Sequence, residues 1–288
     1  MKILLQLILN GIAIGSMYGI MAIGLTLIWG VLKIINFAQG IFLVYSLFAS
    51  YFLYTLWGIN PFLGIFIIFP VFFLLGIGVY KLLVQKVVGA PFFVQAFMTN
   101  GIELVMRSSA FMLFGVNYRS ISPSYVYNNL DIFGLRINVC YFIAIIVNIG
   151  AVLILSLFLN KTYTGKAIRA LSQQRIGSML VGINVNKLLT IAFGLGIAYT
   201  SIAGVVMSNV YSIFPGLGQT ILLVVFVVFI LGGEDVMGAF YAGLVIGIIE
   251  VFTGYFIDIA LKEVVYLIVF LVILLFKPTG IVGLEEGI

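Results

Sequence analysis

From Ile3 to Gly30 the chain carries no charged side chain, and most of the remaining sequence repeats that pattern: long apolar runs cut by short polar breaks. Such runs are at home in a bilayer, which offers no partner to an unpaired backbone N–H or C=O. Helices satisfy those groups internally, so a chain of this kind folds as a bundle of spanning helices. Composition agrees, with 64% hydrophobic and 8% charged residues over 288 positions, where a soluble domain has about 25% charged. At about 20 residues per span the length allows about eight to ten crossings. The expected fold is an all-α polytopic integral membrane protein. It has about 8–9 transmembrane helices with short or broken segments and an internal pseudo-repeat, forming a single transmembrane domain over residues 1–288.

The same composition excludes several function classes. Histidine is absent and Cys140 is the single cysteine. The commonest general base and metal ligand are therefore missing, and no intrachain disulfide can form. An enzyme, a metal site and a cofactor are not expected. The net charge of +5 invites a nucleic-acid partner, but it equals the five bases of one loop, Lys161, Lys166, Arg169, Arg175 and Lys187. Lys2 before an apolar run imitates a signal peptide, yet no small-x-small cleavage site comes after it and the run is too long for an h-region.

The apolar runs are Ile3–Gly30, Ile41–Trp57, Phe62–Tyr80, Phe92–Gly115, Val139–Leu159, Leu188–Ile213, Thr220–Leu231, Val236–Ile257 and Val264–Phe276. The seventh is short for a span and suits a half-helix or re-entrant segment. Asn160–Lys187 is a polar island with five bases and no acid, so it belongs in the cytoplasm by the positive-inside rule. Residues 117–138 are mixed in charge and are expected outside. Threading the runs from the island puts the N-terminus outside and the C-terminus inside. Lys33, Lys81, Lys86, the five bases and Lys277 then lie inside, against Lys2, Arg119, Arg136 and Lys262 outside, which supports the orientation.

Several groups of residues could carry function. Gly11, Gly15 and Gly19 recur every four positions and form a face that another helix can approach closely, within the bundle or in a homodimer. Glu103 and Arg107 lie four apart in the fourth run, in the favourable order for an ion pair. They are either a polar patch on a solute path or a self-neutralised structural pair. Glu250, with no partner in its own run, is a pathway residue or a helix–helix hydrogen-bonding group. The breaks Asn36-Phe-Ala-Gln39-Gly40 and Phe214-Pro-Gly-Leu-Gly-Gln219 each pair Gly with Gln beside apolar helix. Interruptions in corresponding parts of two halves point to a transporter's binding region, although two ordinary loops would look alike. In the island, Lys166–Leu180 can be helical with Gly182 capping its end. On that helix Lys166, Arg169, Ala170, Gln173 and Gly177 share one face, open to a partner's surface. A loop that only fixed topology would not need a helix-length insert.

The stretches Asn10–Gly40, Gly165–Lys187, Leu231–Glu250 and Lys277–Gly283 resemble the branched-chain amino acid permease family of ABC importers, the LivH-type subunit, in order and spacing. The resemblance implies a permease subunit that translocates a small polar solute, branched-chain amino acids first, by ATP-driven alternating access in a cell inner membrane. Its partners would be two cytoplasmic ATPase subunits, a second permease subunit (a paralogue or a second copy) and an extracytoplasmic solute-binding protein. The loop Gly165–Asn184 would form the coupling helix seated in the ATPase. Asn36, Gln39, Gly40, Glu103, Arg107, Gln219 and Glu250 are the candidates for the translocation pathway. The chain departs from the family pattern at Gln39, where the family has His, at Glu234-Asp235, where it has Gly-Ser, and at Glu103 and Arg107, where it is mostly uncharged. Some relatives take amides, urea or other small solutes. The rival is a stand-alone ion-coupled transporter, for which Glu103 and Glu250 are the only acids within the runs.

Overall fold

The computed structural model describes residues 2–132, 135–180 and 182–276. Eleven α-helices are present among them: α1 Lys2–Leu32, α2 Gln39–Trp57, α3 Pro61–Leu82, α4 Phe92–Phe114, α5 Val139–Lys161, α6 Tyr163–Gln173, α7 Arg175–Leu180, α8 Val185–Met207, α9 Leu217–Gly232, α10 Val236–Phe256 and α11 Lys262–Phe276. Six of them (α1, α2, α3, α5, α8 and α10) are long and apolar enough to cross a membrane. α9, with 16 residues, is about 24 Å long, short of the hydrocarbon thickness of about 30 Å.

Polar residues at the ends of the apolar runs set five of the helix starts. Asn60, Asn138, Thr162, Asn184 and Asp235 each accept a first-turn backbone N–H of α3, α5, α6, α8 and α10. Each satisfies a donor that the helix itself leaves orphaned. The stretch expected outside the membrane is not all coil. It forms a short antiparallel hairpin, β1 Asn129–Ile132 with β2 Leu135–Asn138, in which Leu130 faces Ile137.

α1 and α8 are the buried axes of the bundle. α1 crosses α10 through glycines on both sides. A Cβ on Gly11 would stand 2.6 Å from the Ile248 Cα, one on Gly15 would stand 2.5 Å from the Gly243 carbonyl oxygen, and one on Gly243 would stand 2.6 Å from the Gly19 Cα. The three-glycine face read from the sequence therefore packs within the chain. α8 crosses α3 in the same manner, with Gly76 over Gly194 and Ile197 and Tyr80 on Phe193. α1 and α8 also cross each other at Gly24 and Gly196.

The contacts describe an inverted pair of halves. α1, α2 and α3 correspond to α8, α9 and α10, and the first helix of each half packs on the third helix of the other. Direction along the bundle is fixed by side chains. Gln6 donates to the Arg136 carbonyl at one end. At the other end the Trp29 ring meets Phe229, and Lys33 pairs with Glu234. Lys33, Lys81, Lys86 and the island share that second end, and Lys2, Arg119, Arg136 and Lys262 share the first. Lys277 and the motif Lys277–Gly283 lie outside the described residues.

Candidate functional site

After Leu32 the chain stops being helical at Lys33, whose φ of 55° is left-handed. That conformation costs a non-glycine residue about 1–2 kcal/mol. Glu234 offsets it by accepting from both the Lys33 ammonium and the Trp29 indole N–H. Residues 33–38 then turn back into the bundle rather than out of it. Ile34, Asn36 and Gln39 are fully buried. Asn36 donates to the Gln39 side-chain oxygen at 2.9 Å, and Gln39 donates to the Thr200 hydroxyl on α8. A Cβ on Gly24 would strike Gln39 and Thr200 as well as the Gly196 carbonyl. Gly196 is the central residue of α8, 11 residues from Val185 and 11 from Met207, so α2 starts at mid-depth in the bundle.

The second break does the same from the other side. After α8, residues 208–216 fold back and α9 begins at Leu217. Its first turn lies directly against that of α2, where Gly40 and Gly218 meet backbone to backbone and leave no room for a Cβ on either. The two breaks, far apart in sequence, thus converge on one spot. Neither α2, after Ala38, nor α9, after Gly216, has a side-chain cap. Two positive helix ends thus meet in the same region, with the Gln39, Ile41, Leu217 and Gln219 amides bonded to main-chain carbonyls.

α4 brings the charges to this spot. Glu103 is its central residue and is buried. It lines a cavity of about 10 Å³ with Gly40, Ile41, Pro215, Gly218, Gln219 and Leu222, space for one water. Arg107 stands one turn along, its Nε 3.4 Å from Glu103 Oε1. Thr99 ties α4 to the first break through the Ile35 carbonyl, 3.1 Å away. Asn100, Ser108, Gln219 and Thr220 are exposed around this junction. Asn36, Gln39, Gly40, Glu103, Arg107 and Gln219 are therefore brought together. Gly24, Thr99, Gly196, Thr200 and Gly218 join them. Sequence reasoning passed over these because small and hydroxylic residues are common in any spanning helix.

Glu250 belongs elsewhere. It has no partner in its own helix, but α11 supplies Lys262, whose Nζ lies 2.8 Å from Glu250 Oε1. The Tyr18 and Tyr211 hydroxyls, 3.3 Å apart, lie beside this carboxylate. This cluster sits toward the C-terminal end of α10, beside the start of α11, separate from the cavity at Gly40.

The island departs from the expected single helix over 166–180. The helix starts earlier, at Tyr163, and breaks at Gln174, whose φ of −150° and ψ of 99° are extended. Gly165, Ala167, Ile168 and Leu171 form its buried stripe. One more turn would have carried Arg175 onto that stripe, and the break keeps it exposed. Lys166, Arg169, Ala170 and Gln173 form the outward face as read from the sequence. Gly165 does not share it, since it is clamped against the end of α5 at Phe158 and Leu159. Gly177 sits in α7, beyond the break. Gly182, with φ 78°, ends α7 in the left-handed region, and Asn184 caps α8.

The protein family described as branched-chain amino acid transport system / permease component matches residues 7–274. The high-affinity branched-chain amino acid transport system permease protein BraD of Pseudomonas aeruginosa is 25% identical over 299 residues, covering 98% of this chain and 96% of its own. The permease protein LivH of the corresponding system of Escherichia coli is 28% identical over 311 residues, with coverage of 98% and 96%. A probable branched-chain amino acid transport permease protein LivH of Methanocaldococcus jannaschii is 29% identical over 297 residues, with coverage of 97% and 93%. No solved structure matches.

Proposed function

The chain belongs to the family of branched-chain amino acid transport permeases, and on that premise we propose that it is the membrane subunit of an ATP-driven importer of branched-chain amino acids. As a multi-pass membrane transport protein it performs no covalent chemistry, so the work must come from elsewhere. The observation that carries the proposal is α6. It lies at one end of the bundle with Ala167, Ile168 and Leu171 buried and Lys166, Arg169, Ala170 and Gln173 turned outward. A short basic helix clamped to α5 through Gly165 and presenting a small residue at its centre is a handle for a partner's groove. Two cytoplasmic ATPase subunits are the partners that fit it. Their closure would push the bundle from one access state to the other.

The polar face at mid-depth supports a second permease subunit. Gln219 and Thr220 on α9 and Asn100 and Ser108 on α4 are exposed at a level where lipid tails would leave them unsatisfied at a cost of several kcal/mol each. A paralogue or a second copy covering this face would enclose a path between the two chains, lined by Arg107 and Gln219, with Asn36, Gln39, Gly40 and Glu103 buried behind them. The island end is then cytoplasmic. The hairpin end, with the N-terminus, faces the solute-binding protein.

The rival ion-coupled carrier needs an acid free to take a proton or sodium ion. Glu103 and Glu250 each already have a cation beside them, Arg107 and Lys262, which favours the ATP-driven reading. Co-purification with a nucleotide-binding subunit tests it. The complex is expected to form with the wild-type chain and to be lost with Ala170→Trp, which fills the outward face of α6 without touching its buried stripe. A complex retained by Ala170→Trp, or uptake by the chain alone under an ion gradient, would reject the proposal.

A further inference from the structure

We infer that Glu103 and Arg107 are a zwitterion-reading pair that makes this permease selective for free α-amino acids over uncharged amides. The inference rests on the permease reading above and deepens it to the class of solute. Each charge is costly at the middle of a bilayer, and an apolar pair of similar volume would serve packing at least as well. Their contact is also loose. At 3.4 Å it exceeds the 2.7–2.9 Å of a closed charge-assisted hydrogen bond. Among the described residues neither side chain makes another hydrogen bond, although a guanidinium offers five donors. Arg107 is 26% exposed, whereas Glu103 is 8% exposed and lines the cavity floor. A sealed structural pair would show neither the spare capacity nor the opening.

The surroundings select the ligand. The Arg107 guanidinium favours a negative group. Glu103 favours a positive one. A simple cation would face Arg107 unpaired, and a simple anion would face Glu103 unpaired. A solute that carries ammonium and carboxylate on one shared carbon meets both. The cavity of about 10 Å³ holds no solute within this chain, so recognition takes place at the exposed side of Arg107, completed by the second subunit.

Uptake into proteoliposomes by the intact transporter, with its ATPase and binding subunits, tests this with labelled leucine, isobutyramide and urea. The wild type is expected to take leucine at least tenfold faster than either uncharged solute. The reversed pair, Glu103→Arg with Arg107→Glu, keeps the helix neutral and the pair intact. It is expected to assemble and hydrolyse ATP yet lose leucine uptake at least tenfold. Wild-type levels of leucine uptake by the reversed pair, or preference of the wild type for the amides, would overturn the inference. Should the reversed pair not assemble, the isosteric Glu103→Gln decides: a tenfold loss of leucine uptake supports the assignment and unchanged uptake overturns it. Absence of any ATPase from the wild-type complex would sink the permease reading instead, a separate result.

Discussion

Gly247 has no room for a side chain: a Cβ there would overlap the Gly15 backbone and the Gly11 carbonyl across the α1–α10 crossing. Overpacking a tight contact costs about 1–3 kcal/mol and more when only backbone can yield, so Gly247→Leu is expected to lower thermal stability in detergent sharply. Gly150, with nothing within 4 Å of its Cβ position, is the control. Gly150→Leu is expected to shift stability by no more than about 0.5 kcal/mol, read in the same melt. The Lys33–Glu234 pair is a different kind of contact. With side chains 49% and 53% exposed, it contributes about 0–1 kcal/mol. Glu234→Gln should therefore cost less than that, and the difference should vanish in 1 M salt, where the screening length falls to about 3 Å. At this scale the sequence was partly readable. The spacing of Gly11, Gly15 and Gly19 announced a close approach, because only small residues permit one. Nothing local announced Gly243 and Gly247 as the other side, since a partner more than two hundred positions away leaves no trace in the window around a glycine. Lys262 escaped for the same reason. It lies in a different helix from Glu250, and helical spacing pairs only residues within one helix.

α6 is the element on which the proposed coupling depends, and its anchor is Gly165. A side chain there would run into the Phe158 carbonyl and the Leu159 backbone, so Gly165→Leu should pry α6 away from α5 while leaving the spanning helices intact. The expected outcome is normal membrane expression with ATPase co-purification reduced at least fivefold, measured side by side with the wild type. The helical run and its outward face were legible because the apolar positions Ala167, Ile168 and Leu171 recur with helical spacing. The break at Gln174 was not. Propensity over 174–176 favours helix, and only the packing of the stripe against the bundle forbids Arg175 from joining it. α2 and α9 show the opposite balance. Their apolar runs were readable, and so was the shortness of α9, but a polar break looks the same whether it leaves the bundle or turns back into it. Depth is set by Gln39 and Thr200, a contact between halves.

The molecule as a whole is two inverted halves with charge sorted to its ends. Sidedness is tested by single cysteines in a Cys140→Ser background, made workable because Cys140 is the sole and buried cysteine. A cysteine at Lys166 is expected to label with an impermeant maleimide only from the cytoplasmic side, and one at Asp131 only from the outside. Labelling of the Lys166 position from outside would invert the bundle and with it the site of ATPase docking. The pseudo-repeat could be guessed from paired breaks, but its inversion and which helix packs on which required the crossings. The junction of Gly40 with Gly218 has a mechanical consequence. Bare main chain touches bare main chain there, with no deformable side chain to absorb displacement. A tilt applied to one half at the end that bears α6 must therefore be passed on undamped, so that the contact serves as a fulcrum and the far end swings by a comparable arc.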